Sequence, residues 1–596
     1  MASDFDRPYC LLHQKGTTRY AAGEIVRSWL LADVPRGAET VISMVPYAQL
    51  RERGYVCRDG NEPIISLVAT EQREIDLEML LAAETDVTIT GEPVYSPNDD
   101  DFAAAVAGIV DEEIRRGEGS NFLLSRRGDV TIGDFSVEVA NTIFARLARN
   151  EVGAYLTFCF FDGERFFIGS SPEQHLVYGR GQVSMNPICG TLPRAALTKR
   201  ADLIEFLSDP KEINELFQVV DEELKMMSRI CGKGGVVRGP FLKEMSSLVH
   251  TEYLLEGHGT MDPIDAFRES MFAATMIGSP LENAARVIAR HEPEGRSYYS
   301  AALMIMGRDE QDEEFLDSAI TIRMMEVDRD GHAVIRVGAS IVRDSVPEKE
   351  TLEVRAKAQG LLRAISSPEN PGRFLDAYVD QLVLDVLSGR NRYLSRFWTD
   401  QQEDVNVSQR LVGKTMLIID NEDQFTEMLR HVLQHLGIKV TMSGYRDEHI
   451  DLTGHDLVLV GPGPGDPNDL GSAKMSRLHE ITRELVDRKI PFLAVCLGHQ
   501  ILCRTLGMTV VPVDPPLQGV QETIDLFGRL EPAGFYNTFF AMAPDEAPAG
   551  VEIAAQKDGR VIALRADNFA SFQFHVESVL TTNCLTILRD TLERLV

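Results

Sequence analysis

An apolar run, Pro491-Phe-Leu-Ala-Val495, stops at Cys496 and passes at once into Leu497-Gly498-His499-Gln500-Ile501-Leu502. The pattern reads as a buried strand, a sharp turn and a helix, with the cysteine at the turn. There the sulfur stands clear of the backbone at a helix N-terminus, whose positive dipole end favours a thiolate. The plainer alternative is a buried structural thiol, because free cysteine is among the most buried residue types.

Two further strings weigh for chemistry. Ser571-Phe-Gln-Phe-His575-Val-Glu577-Ser578 closes another apolar strand with a histidine and a glutamate two apart, hence on one face. Asp456-Leu-Val-Leu-Val460 leads into Gly461-Pro-Gly463-Pro-Gly465-Asp-Pro467, a glycine loop whose backbone amides can face an oxyanion. A phosphate loop would need a Lys-Ser/Thr pair after its glycines, and none follows.

In this order and spacing GPGPGDP, AVCLGHQ and FQFHVES resemble the class I, or triad, glutamine amidotransferases over residues 413 to 596. The resemblance implies that Cys496 attacks the side-chain amide of glutamine, His575 shuttles the proton and Glu577 orients the histidine. It also places Gln500 on the glutamine, and the amides of Leu497 and of Gly463 or Gly465 around the oxyanion. Val576 stands where that family usually has proline. A glutaminase of this type supplies ammonia, so an acceptor site is expected in the rest of the chain.

With 596 residues the chain needs more than one core. Its net charge of −31 argues against nucleic acid or an anionic membrane as partner, and an anionic substrate must be won by local cations. No run of eighteen apolar residues and no signal-peptide pattern appears, and the 8 cysteines form no CxxC pair. A cytoplasmic protein with reduced thiols is the expectation. A homodimer is an open one.

Residues 1 to 95 carry no readable motif. From Asn98 onwards the chain mixes helical patterns (Phe102, Val106, Ile109, Val110, Ile114; then about 201 to 230 and 263 to 291) with strands such as Ala154–Phe161 and Phe166–Ile168, without strict alternation. That favours an α+β domain over residues 1–389. Residues 390–412 are polar and aperiodic and read as a linker. Thr415-Met-Leu-Ile-Ile-Asp420 opens an α/β domain, 413–596, in which buried strands alternate with helices at 425 to 436 and 473 to 488.

Single clusters in the first domain have dull explanations: Glu353 and Lys357, for example, make an ordinary i,i+4 pair. Taken together, SSPE, NPICGT, KEINE, SLVHTEY, SAITIR, RVGASIV and DSVPEKETLEVRAK resemble, in order, the chorismate-utilising enzymes, over roughly residues 100 to 365. The resemblance implies Mg2+ held by Glu215 and Glu353, a choice of oxygen ligands that suits a hard cation. Glu173 becomes the acid that protonates the departing 4-hydroxyl, and His250 a further catalytic candidate. Lys357 and the backbone of Gly338, Ala339 and Ser340 fall on the ring carboxylate, Tyr299 and Arg323 on the enolpyruvyl carboxylate, and Gly190 and Thr191 among the substrate contacts.

Within that family the isochorismate synthases have a lysine base where Asn121 stands, and the para-aminobenzoate branch has a lysine where Cys189 stands. Both departures leave ammonia addition at C2. Anthranilate synthases carry TxSGAPK where this chain has Thr275-Met-Ile-Gly278-Ser279-Pro280-Leu281-Glu282. With SNFLLSRRG, PPLQGVQ and FYNTF, the closer resemblance is to the 2-amino-2-deoxyisochorismate (ADIC) synthases of phenazine and related metabolism. Anthranilate synthase is the alternative, and a non-catalytic regulatory homologue a more distant one.

Overall fold

The computed structural model describes residues 5, 7–37, 39–58, 60–366, 372–400, 402 and 407–596. The strands between Tyr9 and Val342 join in one sheet of eighteen, interleaved with helices on no regular schedule, which is the α+β organisation expected. Four ladders position the first site. Strand β1 (Asn121–Gly133) runs antiparallel to β5 (His332–Val342), with Asn121 opposite Val342. Strand β2 (Phe166–Ser171) pairs with Met324–Val327, which brings Arg323 beside Ser170. Strand β3 (Ile188–Pro193) pairs with β4 (Leu248–Gly259), and the register slips between Cys189 and Leu192. Gly190 and Thr191 lie in that irregularity, where an unpaired stretch re-aims side chains away from the ladder.

The helices obey their local signals. Asn98 caps Asp99–Gly108 by accepting from the Asp101 amide at 3.0 Å, and the three aspartates of the first turn suit the helix dipole. The pattern from 201 to 230 divides at Pro210, which cannot continue a helix but starts one well. Asp209 therefore caps a new helix, α1 (Pro210–Ile230), through the Lys211 amide at 2.8 Å. The stretch 263 to 291 is likewise two helices, Pro263–Ser270 and Leu281–His291. Between them Gly278–Ser279 pairs with β1 instead, and Pro280, in extended backbone, directly precedes the second helix. Helix α2 (Pro347–Ser366) packs on β5.

Beyond residue 412 a seven-stranded sheet forms, five of whose strands are parallel. Its centre is β6 (Thr415–Asp420), β7 (Leu457–Val460), β8 (Phe492–Val495) and β10 (Phe569–Phe572), with a long hairpin from Val510 to Ala541 whose second strand is β9 (Arg529–Ala541). Every residue of β7 and β8 is buried, as strands covered by helices on both faces require. The flanking helices include α3 (Phe425–His435) and α4 (Leu497–Thr505).

Helix α1 packs against α3, and a single buried apolar cluster runs from Phe217 and Leu224 to Phe425, Phe574 and Val576. The polar segment between the two sheets also enters this contact. Trp398 is fully buried and its indole N–H donates to the Glu577 carbonyl at 2.8 Å, while 401 and 403–406 lie outside the described residues. Among the described residues no helix is long and apolar enough to cross a membrane.

Candidate active sites

Cys496 sits between β8 and α4 at φ 52 and ψ −105, a conformation that a residue with a Cβ rarely adopts. Such strain at a strand-to-helix turn lifts the side chain out of the sheet, and it persists because the surroundings fix it. The Cys496 amide donates to Phe572 at 2.8 Å, which ties the elbow to β10, the strand that leads to His575. His575 Nδ1 lies 2.9 Å from Glu577 Oε1, so the Nδ1 proton faces the carboxylate and Nε2 is left for the thiol. Burial works against a charged His575, but Cys496 and Glu577 more than offset it and lift its pKa to about 10. Glu577 is fully buried and its second oxygen has no hydrogen-bond partner among the described residues, so its charge acts mainly on the imidazole.

The glycine loop passes close behind. A Cβ on Gly463 would stand 2.4 Å from the Asn421 carbonyl, so only glycine fits there. Gly465, at φ 115, turns its amide to the Gly117 carbonyl of the first domain at 3.3 Å. Gln500 is buried and donates to Phe539 at 2.8 Å, a contact that orients its amide.

In the first domain Glu173 is 4% exposed and accepts from the Thr275 hydroxyl at 2.9 Å. Burial raises its pKa to about 8, with Thr275, Lys243 and Arg323 pulling the other way, so it holds a proton at neutral pH. Arg323 also has positive φ, at 50, and its guanidinium lies 3.3 Å from His250 Nε2. His250 Nδ1 is 2.6 Å from the Gly190 carbonyl and must donate to it. Nε2 is then an acceptor that receives Arg323. Burial and Arg323 hold the His250 pKa down at about 3, so the ring is neutral and serves to aim the guanidinium. Thr191 lies 3.5 Å from the same Nδ1. Tyr299 is buried against Leu123 and Met276, with its phenol pushed up to about 12 by burial.

On α2, Lys357 reaches the Gly338 carbonyl at 2.9 Å and Glu353 at 2.8 Å. The pair is 46% and 51% exposed, so water screens it and it can open to admit a ligand. Ala339 is fully buried and Ser340 partly so on β5 beside Gly338. Glu215 on α1 and Glu353 on α2 both act on the Lys211 ammonium, as do Glu212 and Glu350. Burial and this mutual repulsion raise Glu212 and Glu350. An all-carboxylate donor set under like-charge repulsion is chemistry that a hard divalent cation relieves. Among the described residues no three His, Cys, Asp or Glu form a group that could hold a metal ion by themselves.

Sequence reasoning missed Asp221, Lys225 and Tyr536, which meet across the domain contact. The signal for the first two was the charged string Asp221-Glu-Glu-Leu-Lys225 in α1, and Tyr536 lies within FYNTF, which carried a resemblance but no role.

Comparison with known proteins agrees with this division. Residues 54–363 match the family described as chorismate binding enzyme, and residues 417–595 match glutamine amidotransferase class-I. A "phenazine specific" anthranilate synthase of Pseudomonas chlororaphis is 41% identical over 98% of this chain and 94% of its own length. Its counterpart from Pseudomonas fluorescens is 40% identical over the same shares. The structure of the menaquinone-specific isochorismate synthase of Escherichia coli superposes with a TM-score of 0.50 at 18% identity, covering 60% of this chain and 89% of that one.

Proposed function

Because the chain belongs to the chorismate binding enzymes and carries a class-I glutamine amidotransferase domain, we propose that it aminates chorismate at C2 with ammonia from glutamine, giving ADIC. The observation that carries this reading is the pairing in one chain of an elbow cysteine with its His-Glu partner and a buried, protonated Glu173 beside the Arg323–His250 pair.

At the first centre His575 already holds the proton drawn from the Cys496 thiol on Nε2, and Cys496 Sγ bonds to the glutamine amide carbon. The amides of Leu497 and Gly463 receive the oxyanion, the protonated histidine passes its proton to the leaving nitrogen, and ammonia departs. Water then hydrolyses the thioester to glutamate and frees the thiol. At the second centre Arg323, aimed by neutral His250, and Tyr299 hold the enolpyruvyl carboxylate, while Lys357 takes the ring carboxylate. Ammonia bonds to C2, the ring double bonds shift, and the C4–O bond breaks as Glu173 hands its proton to the leaving hydroxyl. Chorismate-utilising enzymes of this fold use magnesium. Glu215 and Glu353 would hold it here, and the bound ion would neutralise the ring carboxylate.

Two features favour stopping at ADIC. Leu281 is buried and apolar, and Glu282 turns to Arg286 at 3.1 Å and lines the gap between the domains with Glu422 and Asp423. Neither offers a base for the C2 proton whose loss would expel pyruvate. The relatives, named phenazine-specific anthranilate synthases, tie the amination to phenazine formation, and the product itself is decided by experiment. Mass spectrometry of the products from chorismate, glutamine and magnesium should find a non-aromatic amine that retains the enolpyruvyl ether. A lactate dehydrogenase-coupled assay should find no matching pyruvate. Pyruvate and fluorescent anthranilate rising in step with chorismate loss would make the enzyme an anthranilate synthase.

A further inference from the structure

Asp221 belongs to the first domain by position, yet its hydrogen-bond donors lie in the second. It sits midway along α1 with no solvent exposure. Its carboxylate accepts from the Tyr536 hydroxyl at 2.7 Å, from the Ser578 hydroxyl, and from the Val579 amide at 2.8 Å. Burial raises its pKa to about 6, and the three donors together with Lys225 hold it back, so the group is ionised at neutral pH.

Each donor belongs to a segment that frames the triad. The Tyr536 carbonyl accepts from Cys496 Sγ at 3.7 Å, and its ring stands edge-on to the His575 imidazole with centroids 5.5 Å apart. Ser578 and Val579 follow Glu577 directly in the chain. One carboxylate therefore ties the strand facing the nucleophile, β9, to the turn that carries the triad acid. The same helix reaches the histidine by a second contact. Lys225 lies 3.6 Å over the Phe425 ring, whose centroid is 4.2 Å from that of His575.

We propose that Asp221 is a positioning residue of the glutaminase triad, supplied by the synthase domain: it fixes Tyr536 and the Ser578–Val579 turn so that Cys496, His575 and Glu577 hold reactive geometry. The proposal rests on the glutaminase reading above. Two buried hydroxyls and an amide converge on one anion, and charge-assisted bonds of this kind are short and directional. The proposed metal carboxylate Glu215 lies six residues earlier on the same helix, about 9 Å along its axis. The triad's anchor and the acceptor site thus share one rigid rod.

The test uses the full-length chain with Asp221→Asn, which keeps the volume and removes the charge, and with the double variant Tyr536→Phe/Ser578→Ala, which leaves Asp221 and removes two of its donors. Glutamine hydrolysis is followed for kcat and KM with chorismate and magnesium present, and chorismate consumption is followed separately with ammonium chloride. We expect glutaminase kcat to fall about 10- to 100-fold in both variants, the scale of a small misplacement of reacting groups. The KM for glutamine and the ammonium-driven turnover should stay within about twofold, since neither uses the displaced geometry. A purely structural role would lower ammonium-driven turnover in parallel, and that result, or an unchanged glutaminase kcat, overturns the proposal. A wild-type chain that fails to hydrolyse glutamine overturns the glutaminase reading itself and this proposal with it.

Discussion

A carboxyl group whose pKa is raised to about 8 keeps its proton through neutral pH and loses it as the solution turns alkaline. Glu173 can therefore act as an acid below that point and not above it. Ammonium-driven chorismate consumption, corrected for the growing share of free ammonia, should decline as pH rises through about 8. Glu173→Gln should cost about 10² to 10⁴ in rate and abolish that alkaline limb, a limb that persists in the variant being the contrary result. The sequence exposes a residue of this sort through its motif, since Glu173 ends SSPE and Cys496 ends an apolar run. The environment that tunes it does not show. Thr275, 102 positions on, gives Glu173 its hydrogen bond, and Asp221 meets donors 315, 357 and 358 positions away. Such pairings are set by the tertiary fold, and no local pattern announces them.

Elements are legible where their ends are marked chemically and obscure where a neighbour overrides them. Asn98 and the Asp209-Pro210 pair mark helix starts in the sequence itself. The break between Ser270 and Leu281 arises because Gly278–Ser279 finds a strand partner in β1, an attraction between segments far apart in the chain. The slip that exposes Gly190 and Thr191 is equally a property of two strands and not of one. The proposed metal site lies at this scale, since Glu215 and Glu353 come from separate helices that meet only in the fold. Glu215→Ala or Glu353→Ala should each lower chorismate consumption by at least about 100-fold with either nitrogen source, because the substrate carboxylate loses its counter-charge. Wild-type turnover should stop in EDTA and return with magnesium. Undiminished activity in EDTA would remove the metal from the account.

At the scale of the molecule the two halves are separate in chemistry and continuous in packing. The change from irregular strand-helix order to regular alternation near residue 413 is visible in the sequence because each domain patterns its own core. The contact between them is not, since its apolar part reads as ordinary core and its polar part, around Trp398, reads as a charged spacer. The separation of chemistry makes a strong prediction. In the proposed reaction Cys496 serves ammonia release alone. Cys496→Ala should cut glutamine-dependent turnover by at least about 10⁴-fold, as loss of a covalent nucleophile does. With a high concentration of ammonium chloride the same variant should consume chorismate at close to the wild-type rate, because that reaction bypasses the proposed glutamine centre. Circular dichroism would establish that the variant is folded. A folded variant inactive with both nitrogen sources would mean that the cysteine, or the domain geometry it maintains, takes part in the chorismate reaction.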